Sequence, residues 1–152
     1  MKNKPLILSG NVDLTDRGLR RMPKKHDGTF LFANIHVKGN FRCDNNSIES
    51  LEGGPLIVDG DYFCQYNELT SLVGAPKHVG GTFVCTNQGL TDLKGAPVYV
   101  GKNFVCNAAL LKSLDGFPRA VGGDVWLDNG ILSFTEQYVR EISRVVGKVF
   151  MR

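Results

Sequence analysis

Long apolar runs are missing from this sequence, and the run near its start, Leu6-Ile7-Leu8, is too short for a signal-peptide core or a membrane span. Histidine and tryptophan are scarce, with three and one among 152 residues. The histidines stand at unrelated positions, no Cys-x-x-Cys pair suggests zinc, and no glycine-rich loop leads into Lys-Ser or Lys-Thr. The net charge of +3 is too small to indicate a partner. We therefore expect no cofactor, no metal and no enzymatic activity.

One phrase, Val-x-Gly-x-Phe-x-Cys-x-x-Asn-x-Leu-x-x-Leu-x-Gly-x-Pro, occurs four times and starts a fifth time. Its copies begin every 21 residues, at Val37, Val58, Val79, Val100 and Val121. A fixed period of this size is typical of a solenoid, in which coils stack to bury their apolar sides. The alternating Val, Phe and Cys positions predict one short strand per coil, paired in parallel with the next. The predicted fold is a mainly β repeat solenoid with one parallel sheet and 21-residue coils.

All four cysteines occupy the same position of this phrase, where the fifth copy has Leu127; they are Cys43, Cys64, Cys85 and Cys106. A position that accepts either Cys or Leu is a small buried apolar position, where a free thiol packs well. Reduced thiols, with no export signal, favour a cytoplasmic location.

The whole chain, residues 1–152, is expected to form one domain. Residues 1–36 should contain a degenerate first coil and an irregular N-terminal cap, with 24–36 as an inserted strand or hairpin. Residues 37–132 form the repeats. Residues 133–152 predict a capping amphipathic α-helix, because Ser133-x-x-Glu136 matches a capping box and apolar residues follow at helical spacing. With both ends capped, we expect a monomer.

The segment Phe41-x-Cys43-x-x-Asn46-x-Ile48-x-x-Leu51 resembles the leucine-rich repeat signature. The Val-Gly-Gly-x-Phe-x-Cys and Leu-x-Gly-Ala-Pro wording is similar to that of small repeat proteins encoded by tailed bacteriophages. The resemblance covers about two-thirds of the chain and implies a binding role without naming a target. It also implies that Asn46 and Asn67 bond to backbone groups at a bend, where later copies have Gln88, Ala109 and Gly130.

Side chains alternate along a strand, so the residue between the Phe and Cys positions should point outward. These residues are Arg42, Phe63, Val84, Val105 and Trp126. An apolar row with polar flanks, containing the single tryptophan, has the composition of a protein-binding hot spot. We therefore predict a non-catalytic protein-interaction module, with Arg42, Asp124 and Asp128 as orienting charges. The phage resemblance implies that it binds a bacterial host protein in the host cytoplasm and inhibits or redirects it.

Two alternatives stay open. Basic residues crowd one stretch, which could bind nucleic acid in a salt-dependent manner: Arg17, Arg20, Arg21, Lys24 and Lys25. Alternatively, an extended polymer could lie along the solenoid and be processed by paired carboxylates such as Asp124 and Asp128. These two lie on one strand rather than across a cleft, which disfavours the enzyme.

Overall fold

The computed structural model describes residues 4–128 and 134–152, and the strands in these residues form two parallel seven-stranded sheets. The prediction of one sheet is wrong. Sheet A contains β1 (Leu6–Leu8), β3 (Ile35–Val37), β5 (Ile57–Val58), β7 (His78–Val79), β9 (Tyr99–Val100), β11 (Ala120–Val121) and β13 (Arg144–Val145). Sheet B contains β2 (Val12–Asp13), β4 (Phe41–Arg42), β6 (Tyr62–Phe63), β8 (Phe83–Val84), β10 (Phe104–Cys106), β12 (Val125–Leu127) and β14 (Val149–Met151).

A glycine-containing corner divides what looks like one strand into two. Within Val37-x-Gly39-x-Phe41, Val37 ends a strand of sheet A and Phe41 begins a strand of sheet B. A β-carbon on Gly39 would lie 2.6 Å from the carbonyl carbon of Gly10 in the preceding coil. Glycine is needed where backbones approach this closely, so the corner is dictated by stacking rather than by a turn signal alone.

The strand register gives the length of each coil. His36 pairs with Ile57, Ile57 with His78, and so on in steps of 21 residues as far as Ala120. The first and last coils contain more than 21 residues. In the first coil Leu6 pairs with Ile35, and in the last coil Ala120 pairs with Arg144. The 21-residue solenoid is therefore confirmed, with one enlarged coil at each end.

The core consists of side-chain ladders that run along the stack. Phe41, Tyr62, Phe83 and Phe104 stack with ring centroids 5.4, 5.6 and 5.7 Å apart. Offset stacking at this spacing adds roughly 0.5–1.5 kcal/mol per pair beyond area burial. The predicted buried positions of the repeat, including all four cysteines, are fully buried in the described residues.

Two aromatic side chains close this stack at its ends. Phe32 packs edge-on against Phe41, with centroids 5.2 Å apart. At the other end, Phe117 lies 5.0 Å from Phe104 and stands where earlier coils have alanine. Its bulk compensates for the smaller Val125 at the next position of the aromatic ladder.

An asparagine ladder, formed by Asn46, Asn67 and Asn87, satisfies backbone groups where three successive coils leave sheet B. The Asn67 side chain accepts from the Ile48 N–H at 3.0 Å and donates to the Cys43 and Cys64 carbonyl oxygens. In the next coil the same role falls to Asn87, which accepts from the Asn67 N–H at 2.8 Å. The assignment of this position to Gln88 is therefore wrong by one residue.

The N-terminal part contains a genuine first coil, because β1 and β2 pair with β3 and β4. A short hairpin follows, with an antiparallel bridge between Lys24 and Phe30. The predicted insertion in residues 24–36 therefore includes a hairpin. The side chains of Phe30 and Phe32 pack against the core and anchor the hairpin to the next coil, where Phe32 contacts Phe41.

The C-terminal helix is shorter than predicted. Helix α1 spans Glu136–Ile142, with Thr135 as N-cap, and the predicted cap Ser133 lies outside the described residues. The chain then returns to form β13 and β14, so the prediction of a helix through residue 152 is wrong beyond Ile142. The segment Val145-x-Gly147-x-Val149 repeats the corner phrase, and pairing with the last coil prevails over helical spacing.

Candidate functional site

The outward row of sheet B brings together the residues predicted to bind a partner. Arg42 pairs in register with Phe63, then Val84, Val105 and Trp126 follow on successive strands. Their inward neighbours in the chain are fully buried, so the alternation places this row on the outer face. The row extends further than predicted, to Asp13 at one end and Phe150 at the other. We call this set the sheet-B stripe: Asp13, Arg42, Phe63, Val84, Val105, Trp126 and Phe150.

Phe150 is the residue of the candidate site that sequence reasoning missed. Its ring stacks on the Trp126 indole at 5.0 Å with an interplanar angle of 15°. The corner phrase Val145-x-Gly147-x-Val149 contained the signal, since Phe150 stands one residue after Val149, as Trp126 stands after Val125. The stripe therefore ends in two stacked aromatic rings rather than in one.

The charged end of the stripe is held by its neighbours. The Arg42 guanidinium donates to Asp44 at 2.9 and 3.1 Å and lies 5.4 Å from the Phe63 ring centroid. The hydrogen bond and charge of Asp44 raise the pKa of Arg42. The Thr15 backbone N–H, at 3.0 Å, lowers the pKa of the Asp13 carboxyl. Both Asp13 and Arg42 are therefore charged at neutral pH.

A shallow hollow of about 340 Å³ opens where the small Val105 stands beside the bulky Trp126. Phe150 and Arg152 border it on the C-terminal side. Asn103 and Asn107 stand on the same strand, two residues on either side of Val105, and form its polar rim. The hollow thus combines an apolar floor, an indole wall and amide groups, as a hot-spot pocket does.

One predicted orienting charge has a structural role. The Asp124 carboxylate accepts from the Lys148 backbone N–H at 2.8 Å. Asn40 and Asp61 do the same for the Asp61 and Thr82 N–H groups at the same corner. The side chains of Asn40, Asp61 and Asp124 therefore bond to the backbone of the next coil along the corner, in addition to flanking the stripe. Asp128 lies on the other flank, with its N–H 3.3 Å from the Cys106 carbonyl oxygen.

Residues 24–36 make their contacts away from the stripe. Phe30 packs against the bend at Gly53, where a β-carbon would lie 2.1 Å from its ring. Phe32 packs on Phe41 inside the coil, and Ile35 begins the third strand of the chain. Stripe residues from Phe63 to Trp126 keep part of their surface exposed. The stripe is therefore not covered by this segment.

The predicted basic edge lies in the bend of the first coil and in the hairpin. All five of its side chains, Arg17, Arg20, Arg21, Lys24 and Lys25, are exposed. Arg20 donates to Glu49 at 3.1 Å through Nε, and the Lys24 ammonium stands 4.6 Å from the Phe30 ring centroid. These contacts give Arg20 and Lys24 a local role, and nucleic-acid binding by this edge stays a prediction.

Burial makes the thiols poor nucleophiles. Desolvation raises the pKa of Cys43 to about 12 and raises the pKa values of Cys64 and Cys85 well above the ordinary thiol range. Within residues 4–128 and 134–152, no group of three or more His, Cys, Asp or Glu side chains could hold a metal ion. The same residues include no helix of the length and apolar character needed to cross a membrane.

A scan against protein-family models, a search of curated proteins and a search of solved structures each returned no match. The similarity to leucine-rich repeats and to phage repeat proteins is thus limited to short sequence motifs. The geometry places the chain among parallel β-solenoids with 21-residue coils, and no family is assigned.

Proposed function

We propose that this protein is a non-catalytic interaction module that binds another protein through the sheet-B stripe. The observation that carries the proposal is the continuous outward row from Phe63 to Trp126, which ends in the Trp126–Phe150 stack. Aromatic residues in a desolvated centre with a polar rim contribute most of the binding free energy in protein interfaces.

The stripe is also well prepared for binding. From Arg42 to Trp126 its side chains stand on parallel strands whose backbones are paired on both sides, and the Trp126 ring is held by Phe150. Binding therefore orders few additional rotamers, and each ordered rotamer-rich side chain otherwise costs roughly 0.5–1.5 kcal/mol. A rigid apolar row suits a partner that presents a complementary flat or ridged surface.

The proposed target of the stripe is a bacterial host protein. Resemblance to phage proteins favours a bacterial host protein, which this module would inhibit or redirect by occupying its surface. Two carboxylates, those of Asp124 and Asp128, flank the strand that carries Trp126. A partner with basic residues around an apolar centre would match this end.

The test is affinity capture from bacterial lysate by wild-type protein and by a Phe63→Asp/Trp126→Asp variant. A matched control, His78→Asp/Tyr99→Asp, alters two exposed residues of sheet A, whose rings lie 6.3 Å apart. Circular dichroism establishes that all three proteins are folded. We expect a protein that is captured by wild type and by the sheet-A variant and is lost with the sheet-B variant.

Equal capture by all three proteins would contradict the proposal, since the contact would then lie outside both altered faces. Capture that requires nucleic acid and disappears on nuclease treatment would instead favour the basic edge.

A further inference from the structure

We propose that the sheet-B stripe also binds a second copy of this chain, face to face, about a two-fold axis that runs along β8. This proposal rests on the proposed use of the stripe as a binding surface. We number the rungs of the stripe from Asp13 (rung one) to Phe150 (rung seven), each with its two flanking outward residues. About this axis, rung four meets itself and rung one meets rung seven of the second copy.

The charges of the rungs suit this antiparallel arrangement. Rung one carries Asp13, and it would face rung seven, which carries Lys148 and Arg152. Rung two carries the ion pair of Arg42 with Asp44, which has no net charge, and it would face rung six, where Asp124 and Asp128 flank the Trp126 strand. The middle rung, with Val84 between two threonines, is uncharged. No two rungs of like net charge therefore face each other, and the outermost pair, rungs one and seven, is of opposite charge, which favours encounter.

The other face-to-face two-fold arrangement, with the axis along the solenoid, is unfavourable. Each rung would then meet its own copy. Asp124 and Asp128 would face the same two carboxylates, and Lys148 and Arg152 would face the same two cations. Like charges in register repel, and the bulkiest side chain, Trp126, would meet another Trp126.

Side-chain size supports the same choice. In the antiparallel arrangement Phe63 faces Val105, which forms the floor of the hollow beside Trp126. The hollow, at about 340 Å³, is larger than a phenyl ring. Arg42 would meet the Trp126 indole, a favourable cation–π pair. Large residues thus meet small ones, or a cation meets an aromatic ring.

End-to-end stacking of solenoids is a competing way to associate, and charge disfavours it. Residues 1–36 contain seven basic and three acidic residues, and residues 133–152 contain four basic and two acidic ones. Both ends are therefore basic and repel each other across a head-to-tail contact.

The area of the face sets the expected affinity. Seven strands at a spacing of about 4.8 Å make the face about 29 Å long, and three outward columns make it about 14 Å wide. The contact would bury about 800 Å² in total, which is below the standard size for a stable complex. The dimer should therefore be weak, and the measurements should extend to the highest protein concentration at which the chain stays in solution.

The test uses Val84, which lies on the proposed axis and meets its own copy. Sedimentation velocity compares wild type, Val84→Asp, Val84→Lys and an equimolar mixture of the two variants, all shown to be folded by circular dichroism. We expect self-association of wild type, monomers for each variant alone, and restored dimers in the mixture, because Asp then meets Lys.

The matched control is the mixture of Val105→Asp and Val105→Lys, which should not restore dimers because position 105 faces Phe63. A monomeric wild type over the whole concentration range would overturn the proposal. So would a Val84→Asp variant that associates like wild type, or equal restoration at position 105. If the chain is monomeric but the stripe still captures another protein, the proposed function stands and this inference alone fails.

Discussion

The asparagine ladder gives a prediction that separates the structure from the repeat pattern. The structure places Asn87 in the ladder, whereas the 21-residue spacing indicates Gln88. Asn87 is 1% exposed and Gln88, the next residue, is exposed. The Asn87 side chain accepts from the Asn67 N–H at 2.8 Å and donates to the Cys64 and Cys85 carbonyl oxygens at 3.0 and 3.1 Å. We predict that Asn87→Ala destabilises the protein strongly and that Gln88→Ala does not.

The magnitude follows from the groups left without a partner. Cys64 keeps a second donor, the Asn67 amide at 3.1 Å, whereas the Asn67 N–H loses its acceptor. The Cys85 carbonyl keeps only the Cys106 thiol at 4.0 Å. Two buried groups left unpaired at about 1–2 kcal/mol each give a loss of about 2–4 kcal/mol in the free energy of unfolding.

Such a loss is a large share of the roughly 5–15 kcal/mol typical of a domain. At roughly 2–4 °C per kcal/mol, the melting temperature should fall by about 4–16 °C. Urea unfolding followed by circular dichroism measures the free energy for both variants. An Asn87→Ala variant within about 0.5 kcal/mol of wild type, or an equal loss in Gln88→Ala, would refute the reasoning.

Three further predictions concern the core and the corner. In the folded protein the thiols of Cys43 and the other three cysteines should resist a thiol reagent at mildly alkaline pH. In denaturant all four should react. Rapid reaction of the native protein would contradict their burial. Tyr62→Phe should be neutral or slightly stabilising by urea unfolding, since the nearest hydrogen-bonding atom to the buried hydroxyl is the Cys43 sulfur at 4.0 Å; a loss above about 1 kcal/mol would indicate a stronger bond. Gly81→Ala should lower the melting temperature clearly, because its β-carbon would lie 2.7 Å from the carbonyl carbon of Gly60; an unchanged melting temperature would mean that the corner can relax.

Much of the fold could be predicted because a repeat shows its buried positions directly. The aromatic, cysteine and leucine positions recur without drift, and each is buried. The second sheet was missed because its strands are mostly two residues long, as in Ile57–Val58, which is too short to show alternation. The corner glycines could have revealed it, since glycine interrupts the predicted strand at the same point in every copy except the fourth, which has Lys102: Gly39, Gly60, Gly81 and Gly123.

The ends were harder to predict because the phrase is altered there. At the C-terminus Tyr138, Ile142, Val145 and Val149 have helical spacing, yet the last two pair with strands of the preceding coil. Local periodicity cannot decide between a helix and a stacked strand, since the deciding contacts come from the neighbouring coil.

The candidate site was predictable in position and only partly in chemistry. Alternation was sufficient to place Arg42 through Trp126 on one face. The bond between Asp124 and the Lys148 N–H depends on a coil that the repeat pattern did not include, so its structural role could not be seen. Phe150 was missed for the same reason.

The central claim is that this protein meets its partner through the outer face of sheet B. The most direct measurement is photo-crosslinking in bacterial cells, with a benzoylphenylalanine placed at Val105 in one protein and at His78 of sheet A in another. We predict a discrete protein adduct from position 105 and none from position 78. Adducts of equal yield from both positions, or from position 78 alone, would contradict the claim.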